Sequence, residues 1–264
     1  MPVALCNMSW SGVVAGAATS APRRQSWSNT WQPAVAEFAR SRMSNRRTQV
    51  TARWLLFGTL LATFVAAGAS AAPLTRAQAL VGLAQSDAEV RSAAVERLGE
   101  VGRMADAPRV IERLADVDPQ VRVAAAAAVW RIWGRSGDSV IDRLYARGVE
   151  QMESAAFGDA LATFDEIVRR KPAFAEGWNK RATVYFLIGR FDASLHDCDQ
   201  VLKRNPQHFG ALAGAGQIHL RLGDRKRALE FFRRAVDVNP NLEGPAQMIP
   251  ILEEQLEADE RRRT

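Results

Sequence analysis

Side chains that could bind a metal or act as nucleophiles are few in this chain and widely scattered. The two cysteines, Cys6 and Cys198, are too few for a disulfide framework, and their spacing fits no metal motif. The three histidines, His196, His208 and His219, are not paired at the spacing of metal ligands. The sequence has no Gly-rich phosphate loop, no H-E-x-x-H motif and no arrangement of nucleophile, base and acid. We therefore predict a protein that is not an enzyme, with no catalytic residues, no metal and no cofactor.

The positive charge of the chain is concentrated at its amino terminus. The formal net charge is +6, and residues 1–71 hold seven arginines against the single acid Glu37. Basic and acidic residues balance in the rest of the chain, so the high isoelectric point does not indicate a nucleic-acid partner for the folded part.

An export signal is predicted at residues 43–71. An apolar stretch free of charge covers residues 54–72, follows three arginines and ends in small residues. Ala69-Ser70-Ala71 supplies a small-x-small cleavage site, which predicts a mature chain that starts at Ala72 and is periplasmic or secreted. The alternative is an inner-membrane anchor through residues 54–72, because this stretch could cross a hydrocarbon core of about 30 Å. Contact with a membrane is expected only through this segment.

Residues 1–42 are predicted to be disordered because they lack sustained apolar periodicity. A leader of this length is unusual ahead of an export signal, and Met43 would make a better start. We therefore expect translation to begin at Met43, with residues 1–42 as an extension of the assigned reading frame.

Two copies of one pattern follow each other at a constant offset within residues 72–134. The paired positions include Leu83 with Leu114, Asp87 with Asp118, Val90 with Val121, Arg91 with Arg122 and Leu98 with Val129. Asp118 followed by Pro119 is typical of a helix N-cap with proline at the first helical position, and Asp87 can cap its counterpart. This pattern resembles the short HEAT-like repeat.

After a helix-breaking linker at residues 135–139 the chain changes to a 34-residue period. Pro172, Pro206 and Pro240 recur at this interval, each at the end of a unit of two helices. Further signature positions are Leu144, Gly148, Ala160 and Phe164 in the first unit, Trp178, Ala182, Tyr185, Gly189 and Ser194 in the second, and Gly216, Gly223, Ala228, Phe232 and Ala235 in the third. Residues 140–242 therefore resemble three units of the tetratricopeptide-repeat (TPR) family.

These patterns predict an all-α, right-handed helical-repeat solenoid: a HEAT-like pair, three TPR units and a capping helix. Residues 243–264 form the cap, since Met248, Ile251, Leu252 and Leu256 recur on one helical face. An array of this kind needs about three units and a polar terminal cap to bury its apolar faces.

Packing roles follow from the same register. Small residues at Gly148, Ala182 and Gly216 let the two helices of a unit approach closely. Phe164 and Phe232 are predicted to fill the space between adjacent units, with Cys198 as their smaller equivalent and hence a buried thiol. His219 is expected to be a packed structural histidine. Trp130 and Trp133 are expected in the core or between domains.

The resemblance implies a concave groove, lined by the first helices of successive units, that holds a peptide or a helix of a partner. The implied groove residues are Tyr145, Val149, Met152 and Glu153, then Asn179, Thr183, Phe186 and Leu187, then Ala213, Gln217, Leu220 and Arg221. Their mixed amide, hydroxyl and apolar groups suit an extended peptide. The alternative interpretation is that these are solvated helix faces.

One family subtype is predicted to be absent. The carboxylate clamp of chaperone-tail binders needs lysine, asparagine and arginine at groove positions that here hold Tyr145, Val149, Lys180, Gly210 and Gly214.

The sequence thus favours a non-enzymatic scaffold or adaptor in the bacterial cell envelope, with a protein or peptide partner and an oligomeric state that the pattern leaves open. An envelope biogenesis or assembly factor would share this fold. A third alternative is a cofactor-attachment enzyme, because short HEAT-like repeats also occur in bilin lyases.

Overall fold

The computed structural model describes residues 72–263, which form helices and turns without a strand among them. The first four helices are α1 (Arg76–Gly82), α2 (Ala88–Val101), α3 (Ala107–Ile111) and α4 (Pro119–Trp133), with 3-10 turns at Met104–Asp106 and Glu112–Ala115 on either side of α3. They are followed by α5 (Ser139–Glu153), α6 (Phe157–Arg170), α7 (Ala175–Leu187), α8 (Phe191–Arg204), α9 (Phe209–Arg221), α10 (Arg225–Val238) and α11 (Glu243–Arg261). The predicted all-α fold is confirmed for this part of the chain.

The predicted extension at residues 1–42 and the predicted export signal at residues 43–71 lie outside the described residues. Across residues 72–263, none of the helices combines the length and the apolar character that crossing a bilayer requires.

Two of the helices α1–α4, called here the amino-terminal helices, begin at the caps that the sequence predicts. The Asp87 carboxylate accepts a hydrogen bond from the backbone N–H of Glu89 and caps α2. Asp118 caps α4 by accepting from Gln120 and Val121, and Pro119 stands at the first helical position. These caps satisfy backbone donors that have no partner inside the helix. The HEAT-like assignment itself stays a prediction.

From α5 onward the helices pair within each unit, α5 with α6, α7 with α8 and α9 with α10, and α11 packs on α10. Asp138 caps α5, so Ser139, which the sequence places in the linker, is the first residue of this helix. The linker is held in place by Lys171, whose Nζ donates to the carbonyl of Ser136.

Small and large residues complement each other within each unit. A Cβ atom on Gly148 would lie 2.7 Å from Cε1 of Phe164, and one on Gly216 would lie 2.6 Å from the ring of Phe232. The second unit has Ala182 at the glycine position and the smaller Cys198 at the phenylalanine position. Close helix approach at the predicted small residues is therefore confirmed, with the rings facing the glycines of their own unit.

Phe164 also belongs to a buried cluster with Phe174 and Val184 of the following unit. Polar contacts join the same two units, because the Arg181 guanidinium on α7 donates to Asp197 on α8 at 2.7 and 2.8 Å and to Asp165 on α6 at 2.6 Å. Arg181 thus ties three consecutive helices together.

The amino-terminal helices precede the first TPR-like unit in sequence, but they also pack against the third unit. Trp133 at the end of α4 is 4% exposed, and its ring stacks on His208 with 4.4 Å between centroids. Phe209 on α9 belongs to the buried core of the amino-terminal helices. The predicted packing role of Trp130 and Trp133 is confirmed.

Equivalent arginines in the two amino-terminal copies make similar contacts, and the contacts of the second arginine reach the loop between α10 and α11. Arg91 donates to the carbonyls of Gln85 and Ser86 and to the Asp116 carboxylate of the next repeat. Arg122, at the equivalent position of the second copy, donates to the carbonyls of Asp116 and Val117 and to Oδ1 of Asn241. Asn241, in the loop between α10 and α11, also donates to the carbonyl of Leu114. This loop therefore stands where a third amino-terminal repeat would continue the stack.

The closing helix departs from its predicted pattern at one position. Met248 and Leu252 are buried, at 8% and 0% exposure, but Ile251 is 38% exposed. The prediction that Ile251 shares the buried apolar face is wrong, because it lies about 100° around the helix from Leu252.

Candidate partner-binding groove

The predicted groove residues on α5, α7 and α9 recur in four rows with a 34-residue spacing. The rows are Tyr145, Asn179 and Ala213, then Val149, Thr183 and Gln217, then Met152, Phe186 and Leu220, then Glu153, Leu187 and Arg221. Successive first helices contact one another, α5 with α7 and α7 with α9, so each row crosses the three units. We call the solvent-accessible members of these rows the candidate groove.

Most of these side chains reach solvent. Val149, Thr183, Phe186, Ala213, Gln217 and Leu220 are half-buried, whereas Glu153, Leu187 and Arg221 are exposed. The Arg221 guanidinium lies over the ring of Phe186, with Cζ 5.2 Å from the ring centroid, and thereby joins the second and third units. The Thr183 hydroxyl donates to the backbone carbonyl of Asn179 within its own helix.

Three predicted groove residues make structural contacts within the protein. Met152 is 9% exposed and belongs to the buried cluster around Phe164. Asn179 is 8% exposed, and its Nδ2 donates to Oε2 of Glu176 at 3.1 Å. The half-buried Tyr145 hydroxyl donates to the same carboxylate oxygen at 3.3 Å. These positions are therefore unsuitable as probes of ligand binding.

Glu176 and His208 form a buried polar centre between α7 and α9. Glu176 is 1% exposed and His208 0%, and Oε1 of Glu176 lies 2.5 Å from Nε2 of His208. The backbone N–H of Ala211 donates to Nδ1 of His208, so Nδ1 is an acceptor and the ring proton resides on Nε2, which donates to Glu176. The carboxylate thus collects donors from α5, α7 and the turn before α9, and Trp133 stacks on the histidine.

Burial alone would raise the pKa of Glu176. His208, Lys180 and the Asn179 amide outweigh this effect by stabilising the carboxylate, and they hold its pKa below the ordinary glutamate value. Glu176 is therefore ionised in the folded protein at neutral pH.

Trp130 lies against the start of α9. A Cβ atom on Gly210 would lie 2.6 Å from Cη2 of Trp130, so only glycine lets the indole approach the helix this closely. Nζ of Lys180 lies 5.9 Å from the Trp130 ring centroid, within the range of a cation–π contact. Lys180 and Gly210 stand at two of the positions where chaperone-tail binders have their carboxylate clamp. In this chain both residues face Trp130.

The sequence register holds information that the predicted site does not include. Extending the rows that end at Gln217, Leu220 and Arg221 by one more repeat leads to Ile251, Glu254 and Gln255 on α11, and all three are exposed. Treating α11 as a fourth first helix would have found them. The contacts of Trp130, Glu176 and His208 join segments distant in sequence and have no such periodic signal.

His219 and Cys198 are packed in the interior. The ring of His219 is stacked on Phe231 with 5.4 Å between centroids, and burial lowers its pKa, in agreement with the predicted structural role. Cys198 is 3% exposed, and burial, reinforced by Asp197 and Asp199, raises the pKa of its thiol to about 12. Within residues 72–263, no group of three or more His, Cys, Asp or Glu residues is arranged to hold a metal ion.

The state of Cys198 has a direct test. In a Cys6→Ser variant, where Cys198 is the remaining cysteine, we expect maleimide to react at pH 7 at least about a hundred-fold more slowly in buffer than in urea, because only the thiolate reacts and the native thiol is buried and protonated. Mass spectrometry over time measures both rates. Equal rates would contradict the buried, protonated state.

Comparison with known proteins supports the repeat assignment. The sequence profile of the family "Tetratricopeptide repeat" matches residues 145–198 and 188–243. A TPR repeat-containing protein of Rhizobium etli is 32% identical over 139 residues, which cover 53% of this chain and 68% of that protein. The small glutamine-rich tetratricopeptide repeat-containing protein 2 of Mycosarcoma maydis is 24% identical over 115 residues, covering 44% of this chain and only 33% of its own length. The solved TPR domain of Sgt2 from Aspergillus fumigatus shares 17% identity, with 47% of this chain and 83% of that domain covered and a TM-score of 0.44.

Proposed function

Since this chain belongs to the tetratricopeptide-repeat proteins, we propose that it is a non-enzymatic scaffold or adaptor that binds a protein or peptide partner along the candidate groove. One observation carries the proposal. Half-buried or exposed side chains stand in a 34-residue register on the first helices of consecutive units, and the register continues on α11. An extended segment laid across these helices would meet the same positions of each unit in turn.

The chemistry of the candidate groove favours binding over catalysis. Its accessible side chains supply an amide from Gln217, a hydroxyl from Thr183 and apolar surface from Phe186 and Leu220. The ionised Glu176 is buried beneath this surface, and its oxygens are engaged by donors of the protein itself. These groups can hold a segment by hydrogen bonds and apolar contacts.

The proposed place of action is the bacterial cell envelope. The support for it is the export signal predicted at residues 43–71, followed by a predicted mature start at Ala72. An anchor through residues 54–72 would hold the same groove at the inner membrane. In either case the partner is a protein of the envelope, and an assembly factor is one form of such an adaptor.

Photo-crosslinking in intact cells tests the proposal. A photoreactive residue in place of Gln217, whose side chain is half-buried and makes no hydrogen bond within residues 72–263, is expected to capture a partner. The same residue in place of Lys203, on the second helix α8, serves as the control and should not capture it. Filling the groove with Thr183→Trp should reduce capture at position 217 about ten-fold, the loss typical of one blocked anchor contact.

Two results would refute the assignment of the groove. One is equal capture of the same partner from positions 217 and 203. The other is unchanged capture at position 217 when Thr183→Trp is present in a protein whose circular dichroism and thermal unfolding match those of the parent.

A further inference from the structure

The fold holds the Arg221 side chain in position but gives its positive charge no carboxylate partner within residues 72–263. Its side chain is exposed on α9, and Phe186 holds its guanidinium over the candidate groove, with 5.2 Å between Cζ and the ring centroid. No carboxylate among the described residues forms an ion pair with it, unlike Arg225, Arg227 and Arg233 on the neighbouring α10. Because the ring contact restricts the side chain, an arriving anion would bear less of the entropy cost of ordering it.

The first unit places a charge of the opposite sign at the same register position. Glu153 is exposed at the end of α5 and forms no ion pair within the part of the chain that the structure describes. Leu187 holds the intervening position on α7 and is 42% exposed. One row of the candidate groove therefore reads acidic, apolar, basic from the first unit to the third.

The spacing of this row sets the spacing of a ligand. Packed helices lie about 8–10 Å apart, so Glu153 and Arg221 are separated by about 20 Å across two helix spacings. A segment in the polyproline II conformation advances about 3.1 Å per residue and has three residues per turn, so side chains three positions apart face the same side and lie about 9 Å apart. Complementary side chains would stand at positions i, i+3 and i+6 of the bound segment.

The charges around the row Glu153, Leu187 and Arg221 favour a ligand segment from within a partner's chain over an acidic tail at its end. Lys180, the other cation near the groove, faces Trp130 and the buried Glu176. Beyond the third unit, the closing helix presents the exposed Glu254 one register step after Leu220. A run of several acidic residues would meet one available arginine and a repelling carboxylate.

We infer that the candidate groove binds an extended segment with a basic side chain at position i, an apolar side chain at i+3 and an acidic side chain at i+6. This inference rests on the proposed function and specifies its ligand. The basic group faces Glu153, the apolar group packs on Leu187 and Phe186, and the acidic group meets Arg221.

Two labelled peptides and three proteins test this assignment. The first peptide is Lys-Ala-Ser-Leu-Ala-Ser-Asp, and the second carries lysine in place of the aspartate; both are acetylated, amidated and followed by fluorescence anisotropy in low salt. The parent should bind the first peptide about three-fold more tightly, and Arg221→Glu should reverse the preference by a similar factor, the size expected of one exposed ion pair. Arg169→Glu, which makes the same charge change at an exposed position on α6, should leave the preference of the parent intact.

The outcomes separate this inference from the proposed function. In one outcome, Thr183→Trp abolishes peptide binding while Arg221→Glu leaves the preference between the two peptides unchanged. That result would keep the groove and reject the charge pattern. Binding that survives Thr183→Trp, or failure of both peptides to bind the parent, would reject the inference, while the crosslinking at position 217 decides the function independently. Loss of the preference between the two peptides in about 0.5 M salt would support the inferred charge pattern, since salt screens exposed ion pairs.

Discussion

Replacing Glu176 by alanine is expected to destabilise the protein by about 3 kcal/mol, the cost of leaving two buried donors without an acceptor. The donors are Nε2–H of His208 and Nδ2–H of Asn179, in residues that are 0% and 8% exposed. Because His208 is stacked against Trp133, the loss should also loosen the docking of the amino-terminal helices on α9. Urea unfolding followed by circular dichroism measures the change. A loss below about 0.5 kcal/mol, the low end of the net contribution of a single hydrogen bond, would contradict the role of the carboxylate.

The same residue predicts a dependence of stability on pH. The folded-state pKa of Glu176 lies below its ordinary value, so the unfolded chain takes up the proton first as pH falls. The stabilisation is present above the unfolded pKa of about 4.3 and is lost as pH falls through the lower folded value. We expect this contribution to start to decline as pH falls below about 4.3 and to continue declining towards the lower folded-state pKa.

Glu176→Gln is the matched control, since it keeps the size of the side chain and cannot ionise. Asp106, Asp116 and Asp138 also have lowered pKa values and contribute to acid unfolding in both proteins. The difference between parent and Glu176→Gln therefore isolates Glu176, and it should shrink from pH 6 to pH 3.5. A difference independent of pH would mean that Glu176 has the same pKa in the folded and unfolded states, and a difference that grows as pH falls would mean that folding raises it.

Residues that repeat along the chain explain why so much of this fold could be predicted. Pro172, Pro206 and Pro240 mark the ends of equivalent units, and Asp87 and Asp118 cap equivalent helices. Each of these signals is local or periodic, because a turn or a cap depends on residues a few positions away. Helix packing within a unit follows, since the small residue and the ring recur at fixed offsets.

The docking of the amino-terminal helices could not be predicted because its contacts are neither local nor periodic. Arg122 and Asn241 are 119 residues apart, and His208 meets Glu176 and Trp133 from other helices. A histidine before α9 and a glutamate early in α7 each look like ordinary surface residues when read separately.

The exposure of the candidate groove residues could be predicted only in part, for the same reason. Register identifies which side of a helix Val149, Thr183 and Gln217 share, and the structure places these residues at partial exposure. Register does not reveal that Asn179 is drawn inward by Glu176 or that Trp130 covers Gly210. Burial depends on what the rest of the chain brings to that surface, which a repeat pattern leaves unspecified.

Phe232→Cys is expected to cost about 3 kcal/mol, because it removes a completely buried ring and leaves a cavity. Gly216→Ala should cost about 1–2 kcal/mol, since its Cβ would lie 2.6 Å from that ring and the strain exceeds the gain in helix propensity. Combining the two replacements recreates the pair that the second unit already uses, Ala182 with Cys198. The methyl group then occupies part of the cavity, so each change relieves the defect of the other.

We therefore expect the double variant to be more stable than the sum of the single changes predicts, by about 1–2 kcal/mol of coupling. A urea double-mutant cycle with circular dichroism and tryptophan fluorescence as separate probes measures this energy and checks that both report one transition. As a control, Phe164→Cys with Gly216→Ala combines the same substitutions in two different units and should give additive effects. Additivity in both pairs would mean that the contact between glycine and ring does not set the packing distance of the helices within a unit.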